Sequence, residues 1–138
     1  MNFDANDFWH DSIHTYQQCQ SQLLVLQDTA NANVNLLLLC VYLQNHGRYL
    51  TTPQLAELIR VCEQTQEQIL SVRRARRQAK GGPAYTTLKQ AELELEKQQQ
   101  QDLIQAVNAM VLAQQGPGNV TLYGRLLLLP NLVLFPES

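Results

Sequence analysis

The chain has 138 residues, of which 45% are hydrophobic and 16% charged, and its formal net charge at pH 7 is −2. This length suits one domain that buries most of its apolar surface without disulfides or a metal. A net charge near zero excludes a general polyanion binder, and three cysteines without a CxxC pair argue against a secreted disulfide framework. We expect reduced thiols, with Cys40 and Cys62 in the core. The acidic, aromatic start MNFDANDFWHD lacks the regions of a signal peptide, which predicts a cytoplasmic protein.

Two helices are predicted before residue 30. The first runs from about Asp4 to Gln18, because its apolar residues repeat with a period near 3.6 and acidic side chains occupy its first turns. The second helix is short and ends near Asp28. Its apolar positions are Leu23, Leu24 and Leu26.

The most hydrophobic stretch runs from Asn31 to Gly47 and reads NANVNLLLLCVYLQNHG. Between Val34 and Leu43 only Asn35 interrupts the apolar run. A helix that is apolar on all faces is wrapped by other helices or spans a membrane, and this one is shorter than the roughly 20 residues that spanning needs. We therefore predict a central helix and no membrane association. Asn35 is expected to be satisfied locally, near the capped start of the helix.

The next helix begins near residues 51–53. Thr52 can cap it with Pro53 in the first turn, or Thr51 and Gln54 can form a capping box. Its apolar face continues to about Ser71, after which the helix becomes basic and ends at a Gly-Gly-Pro break.

The last long helix is predicted from about Tyr85 to Gln114. Residues 98–101 are four consecutive glutamines, which make this part of the helix polar on every face. We therefore expect a solvated stretch, with coiled-coil pairing as the alternative. After a Gly-Pro-Gly break, Asn119 can cap a short helix that stops at Pro130, and an extended tail follows.

The predicted fold is all-α: a single-domain helical bundle of about five helices around the central hydrophobic helix, with a short C-terminal helix or extended tail. Residues 1–115 form the bundle. Residues 116–138 form an apolar segment that packs on the bundle, on a second copy of the chain or on a partner, since monomers rarely expose large apolar patches.

Several blocks of the sequence recur in a known pattern, namely Phe8-Trp9, Tyr16, Leu26-Gln27, 33–38, Gly47, 73–77 and 91–96. Together these blocks resemble a family of small uncharacterised bacterial proteins, a domain of unknown function found mainly in proteobacteria. The resemblance covers roughly residues 7–105 and implies an all-helical fold, without an activity, substrate or catalytic residue. Many members have an Arg-Pro-Gly turn where this chain has residues 17–20.

The sharpest charge feature is the basic segment RRARRQAK, which carries the candidate contact residues Arg73, Arg74, Arg76, Arg77 and Lys80. These cations suit phosphates of a nucleic acid or phosphorylated ligand, or carboxylates of a protein partner. They also suit the negative end of their own helix. Ion pairs with the acidic residues of the stretch 92–96 would satisfy them within the chain.

His10 and His14 lie four residues apart on one helix face, a spacing that can bind zinc. The glutamate of metalloprotease helices is missing, with Asp11 in its place, and exposed histidines beside Asp7 and Asp11 are the alternative. No glycine-rich phosphate loop, nucleophile elbow or acidic metal motif is present, so we predict no catalytic residue, metal or cofactor.

The predicted function is therefore a non-enzymatic protein–protein interaction or regulatory module that uses the basic segment and the apolar C-terminal segment. Self-association is an alternative to a separate protein partner. Binding of nucleic acid or a phosphorylated ligand through residues 73–80 is a second hypothesis, and a metal-dependent enzyme using His10 and His14 is a third.

Overall fold

The computed structural model describes residues 2–134 and forms five α-helices within that range. They are α1 (Ala5–Ala30), α2 (Val34–Asn45), α3 (Thr52–Gln78), α4 (Tyr85–Asn108) and α5 (Asn119–Leu126). The predicted all-α, single-domain fold is confirmed. None of these helices combines the length and the apolar character needed to cross a membrane.

The two helices predicted before residue 30 are joined in one element, α1, which bends at Cys19, where the boundary between them was predicted. Asp4 caps the start of α1 by accepting a hydrogen bond from the backbone of Asn6, and Asn31 ends the helix in the left-handed conformation. In between, Cys19 departs from helical geometry with φ −123° and ψ 15°. Helical geometry resumes after this bend, so α1 continues to Ala30.

Helix α2 is the central helix, as predicted. The Asn33 side chain caps it by accepting from Leu36 N, and its buried residues cover all faces. It packs against all four of the other helices. Burial of each leucine side chain contributes about 1.5–3 kcal/mol, which makes α2 the main source of core stability. Cys40 and Cys62 are buried in the same core, as expected.

Helices α3 and α4 form an antiparallel hairpin. The capping box at its start is present, with Thr51 and Gln54 each bonding the other's backbone. The prediction that α4 continues to Gln114 was wrong, because it ends at Asn108. The following backbone instead pairs with the loop after α2, where Tyr49 and Ala113 exchange two hydrogen bonds of 2.9 and 3.2 Å.

The predicted short C-terminal helix is present as α5, although Asn119 does not cap it. The Asn119 side chain is fully buried and bonds Leu50 N, Cys40 O and Arg48 O, which fixes α5 to the far end of α2. Other residues of this segment pack against the core, namely Leu122, Tyr123, Leu127, Leu129, Leu132 and Leu134. The last four residues of the predicted tail lie outside the described range, and the division at residue 115 stays a prediction.

Candidate ligand-binding cleft

A cleft of about 670 Å³ lies between α1 and the α3–α4 hairpin, with the start of α2 at its base. Its α1 wall extends from Trp9 to Gln27 and includes the bend at Cys19. The opposite wall combines the second half of α3 with α4 from Tyr85 to Gln100. The bent helix and the hairpin therefore enclose a single open space beside the core.

The base of the cleft is a network of buried amides. Asn35 Nδ2 donates to Gln99 Oε1 at 2.9 Å, and Gln100 Nε2 donates to Asn35 Oδ1 at 3.0 Å. Gln100 Nε2 also donates to Ser12 Oγ at 3.1 Å, and Gln99 Nε2 to Thr65 Oγ1 at 3.0 Å. The network joins all four long helices, since each contributes a side chain.

This network corrects two predictions. Gln99 and Gln100 are only 1% and 2% exposed, so this part of the glutamine-rich run is not solvated. Asn35 is bonded by α4, including Glu96 O, and not by local capping groups. Buried polar groups require partners. Here the lone asparagine of the apolar helix and the buried glutamines of α4 are each other's partners.

Gln100 has one unused hydrogen-bonding atom. Its Oε1 is the only buried side-chain nitrogen or oxygen within residues 2–134 that lacks a partner. Gln100 lines the cleft and also a small void of about 20 Å³ beside Trp9 and Lys97, which is large enough for one water molecule.

Two of the predicted basic residues belong to an ion-pair cluster on the hairpin wall. Arg73 Nε lies 2.9 Å from Glu92 Oε2, and Arg73 Nη2 lies 3.4 Å from Glu96 Oε1. Arg76 binds the other oxygen of Glu92 and also interacts with Tyr85. These contacts hold α3 and α4 together near the hairpin end.

The two glutamates respond differently to this environment. Burial alone would raise the pKa of Glu92, but hydrogen bonds and charges from Arg73 and Arg76 outweigh it and lower that pKa. Burial raises the pKa of Glu96, the charge of Glu92 adds to this effect, and Arg73 offsets it only in part. Glu92 is therefore the carboxylate that neutralises both arginines.

Two other cations line the cleft without such neutralisation. Arg77 and Lys89 are exposed, and neither forms an ion pair with the rest of residues 2–134. The six charged residues of the lining comprise four cations and two carboxylates, so the cleft carries a formal charge of +2. Arg74 and Lys80 are exposed as well but lie outside the cleft.

Sequence reasoning found Arg73, Arg76 and Arg77 and missed Lys89. The lysine belongs to the next helix, and only the pairing of α3 with α4 brings it to the same wall. The ion pairs that the sequence suggested across the hairpin turn could have indicated it, because a pair between Arg76 and Glu92 places these two residues opposite each other. Lys89 lies one turn before Glu92 and so falls on the same side.

Aromatic and apolar side chains complete the walls. Trp9, the only tryptophan of the chain, lies beneath Lys97 Nζ at 5.0 Å from the ring centre and also lines the cleft. Tyr16 lines it too, and burial with the nearby Glu96 charge raises the pKa of its hydroxyl. Ile13 and Leu24, both partly exposed, add apolar surface to the α1 wall.

His10 and His14 lie on the exposed surface of α1. His14 Nε2 is 3.2 Å from the Gln18 amide nitrogen, and neither histidine lines the cleft. Among residues 2–134 no three histidine, cysteine, aspartate or glutamate side chains come together in a metal-binding arrangement.

Comparison with known proteins identifies the family to which the chain belongs. A family model described as "Protein of unknown function (DUF2390)" matches residues 7–103. No curated protein and no solved structure matches the chain. Because the matched range covers more than half of its length, the chain belongs to this family of unknown function.

Proposed function

We propose that this family member is a non-enzymatic regulatory module of the bacterial cytoplasm that binds a small organic anion in the cleft between α1 and the α3–α4 hairpin. The proposal rests on one observation: Arg77 and Lys89 line an open cleft and have no carboxylate partner within residues 2–134. Cations placed in a concave, partly apolar site attract and orient anions.

The size of the cleft favours a small molecule. Sites for small ligands measure about 300–1,000 Å³ and combine apolar walls with a few polar groups. A cleft of about 670 Å³ with Trp9, Ile13 and Leu24 on one wall falls within that range. A protein interface would need a broader exposed surface.

Binding without chemistry is proposed because the acidic groups of the cleft are already engaged. Glu92 binds two arginines and Glu96 binds one, so neither carboxylate is free to act as a general base toward a ligand. Such a site suits recognition, and a change of shape or affinity on binding would make it regulatory.

The test uses 1-anilinonaphthalene-8-sulfonate, an anion with an apolar body, as a probe. Because Trp9 lines the cleft, saturable energy transfer from Trp9 to the probe is expected. The double variant Arg77→Gln, Lys89→Gln should weaken binding about tenfold or more through lost charge-assisted contacts.

The matched control is Arg74→Gln, Lys80→Gln, which removes two exposed cations outside the cleft. Its affinity should stay within about twofold of the unmodified protein, because neither Arg74 nor Lys80 lines the cleft and neither can contact the bound probe directly. Absence of saturable transfer from Trp9, or equal weakening by both double variants, would contradict the proposal.

A second candidate function is docking of an acidic protein partner on the basic helix. Arg74 and Lys80 favour it because they are exposed outside the cleft and have no ion-pair partner within residues 2–134. Charge reversal by Arg74→Glu, Lys80→Glu should abolish co-purification of the partner, whereas Arg125→Glu on α5 should not. Equal capture by both variants would rule this surface out.

A further inference from the structure

We infer that the small anion bound in the cleft is a nucleoside phosphate, with its phosphate at Arg77 and Lys89 and its base between the aromatic and amide side chains deeper in the cleft. This inference rests on the proposed function, since it specifies the ligand of the same site. Three features of the cleft support it: the position of the two cations at one end, the amide and aromatic side chains along the rest, and the length of the site.

The free cations are confined to one end of the cleft. Arg77 directly follows Arg76, and Lys89 lies one turn before Glu92, to which Arg76 is bound. Both cations therefore lie near the end of the hairpin. Arginine and lysine there present several N–H donors to the oxygens of a phosphate.

The remainder of the lining is unusually rich in amides. Eight of the lining side chains are asparagine or glutamine, contributed by four helices and the turn before α2. An amide group both donates and accepts, which matches the paired donors and acceptors on the edge of a nucleobase. An acyl chain would instead require a dry apolar lining.

Aromatic rings are placed to stack on such a base. Trp9 and Tyr16 both line the α1 wall of the cleft. Flat bases stack on tyrosine and tryptophan without regard to sequence, while the amides provide directional hydrogen bonds. A phosphate without a base would leave this part of the cleft unused.

The length of the site fits one nucleotide. Lys89 and Gln100 are separated by about 16 Å along α4, and the lysine side chain shortens the gap that a ligand must bridge. A polynucleotide would need a basic groove that continues beyond the cleft, and the overall charge of −2 opposes such binding.

The experiment compares adenosine 5′-monophosphate with two of its parts, ribose 5-phosphate and adenosine. Binding is followed by the fluorescence of Trp9 and by titration calorimetry at low salt. The whole nucleotide should bind at least tenfold more tightly than either part, since each part loses the contacts of one end of the cleft. Stacking beside Trp9 should also quench its emission with the nucleotide but not with ribose 5-phosphate.

The cation pair provides the matched comparison. Arg77→Gln, Lys89→Gln should reduce nucleotide affinity about tenfold or more while leaving adenosine affinity within about twofold, because only the phosphate contacts are removed. Arg74→Gln, Lys80→Gln should change neither. A circular dichroism spectrum and melting temperature unchanged from those of the parent chain establish that each variant is folded.

Several outcomes would overturn the inference. If the sulfonate probe binds and the nucleotide does not, or if ribose 5-phosphate binds as tightly as the nucleotide, the nucleoside phosphate is wrong and the small-anion module stands. If neither probe nor nucleotide binds, both proposals fall. Tighter, strongly salt-dependent binding of a twelve-nucleotide single strand would replace the nucleotide with nucleic acid as the ligand.

Discussion

Asn35 shows how one residue can organise a polar site inside an apolar helix. Its amide donates to Gln99 Oε1 and to Glu96 O, and its oxygen accepts from Gln100. With leucines around it on α2, this side chain favours the register in which α4 packs against α2. Apolar contacts alone would tolerate several registers, whereas directional hydrogen bonds do not.

We therefore predict that Asn35→Leu lowers the free energy of unfolding by about 2–3 kcal/mol, although it adds apolar surface. The reason is that Gln99 Oε1 and Gln100 Nε2 would each lose a buried partner. Urea denaturation measures the change. Asn45→Leu, at the exposed end of the same helix, should change stability by less than about 0.5 kcal/mol. Equal effects at both positions would show that the network adds nothing.

The hydrogen bonds of a side chain could be predicted from the sequence only where its partner lies nearby in the chain. The capping box of Thr51 and Gln54 could be predicted as one of two possible helix starts, because both residues belong to one helical turn. The buried glutamines were missed because their partner Asn35 lies 64 and 65 positions away in the chain. The residues around Asn35 do not indicate that glutamines will pack against it, and the residues around the glutamines do not indicate Asn35. The glutamines were therefore expected to be exposed to solvent.

At the scale of the helices, the hairpin of α3 and α4 is held near its end by Glu92. The ion pairs were an open alternative in the sequence and are present at Arg73 and Arg76. Helix ends that depend on distant backbone contacts were not predictable in the same way. The apolar pattern continues past Asn108, yet the chain leaves the helix there, and Ala113 pairs with Tyr49.

The hairpin predicts a pH-dependent contribution to stability from Glu92. Its folded-state pKa lies below the ordinary value of 4.5, so the ionised carboxylate stabilises the fold above pH 4.5. That contribution is lost as the pH falls through the folded-state pKa. Glu92→Gln should therefore lower the free energy of unfolding by about 1 kcal/mol at pH 7, where solvent in the cleft screens the pairs.

The difference between Glu92→Gln and the unmodified chain should shrink below pH 4.5, as followed by urea denaturation at several pH values. Glu96→Gln is the matched control, because the raised pKa of Glu96 means that its ionised form costs stability at neutral pH. It should cause no loss at pH 7. A constant difference between pH 3 and pH 7 for Glu92→Gln would contradict the assignment.

For the whole molecule, the cleft and the family match occupy the same part of the chain. Every residue that lines the cleft lies between Trp9 and Gln100, inside the matched range 7–103. The C-terminal segment with α5 lies beyond that range and supports the opposite end of α2 through Asn119. The fold class was predictable because helical periodicity is local, whereas the cleft arises only when α1 faces the hairpin.

The amide network should also be visible as correlated substitutions among the sequences of the family. Positions 12, 35 and 100 lie on three different helices but share hydrogen bonds, so a size or polarity change at one position leaves the others mismatched. Across members of the family these positions are expected to vary together, asparagine exchanging with an apolar residue only where position 100 changes too. Paired substitutions of this kind would trace which relatives keep the same cleft.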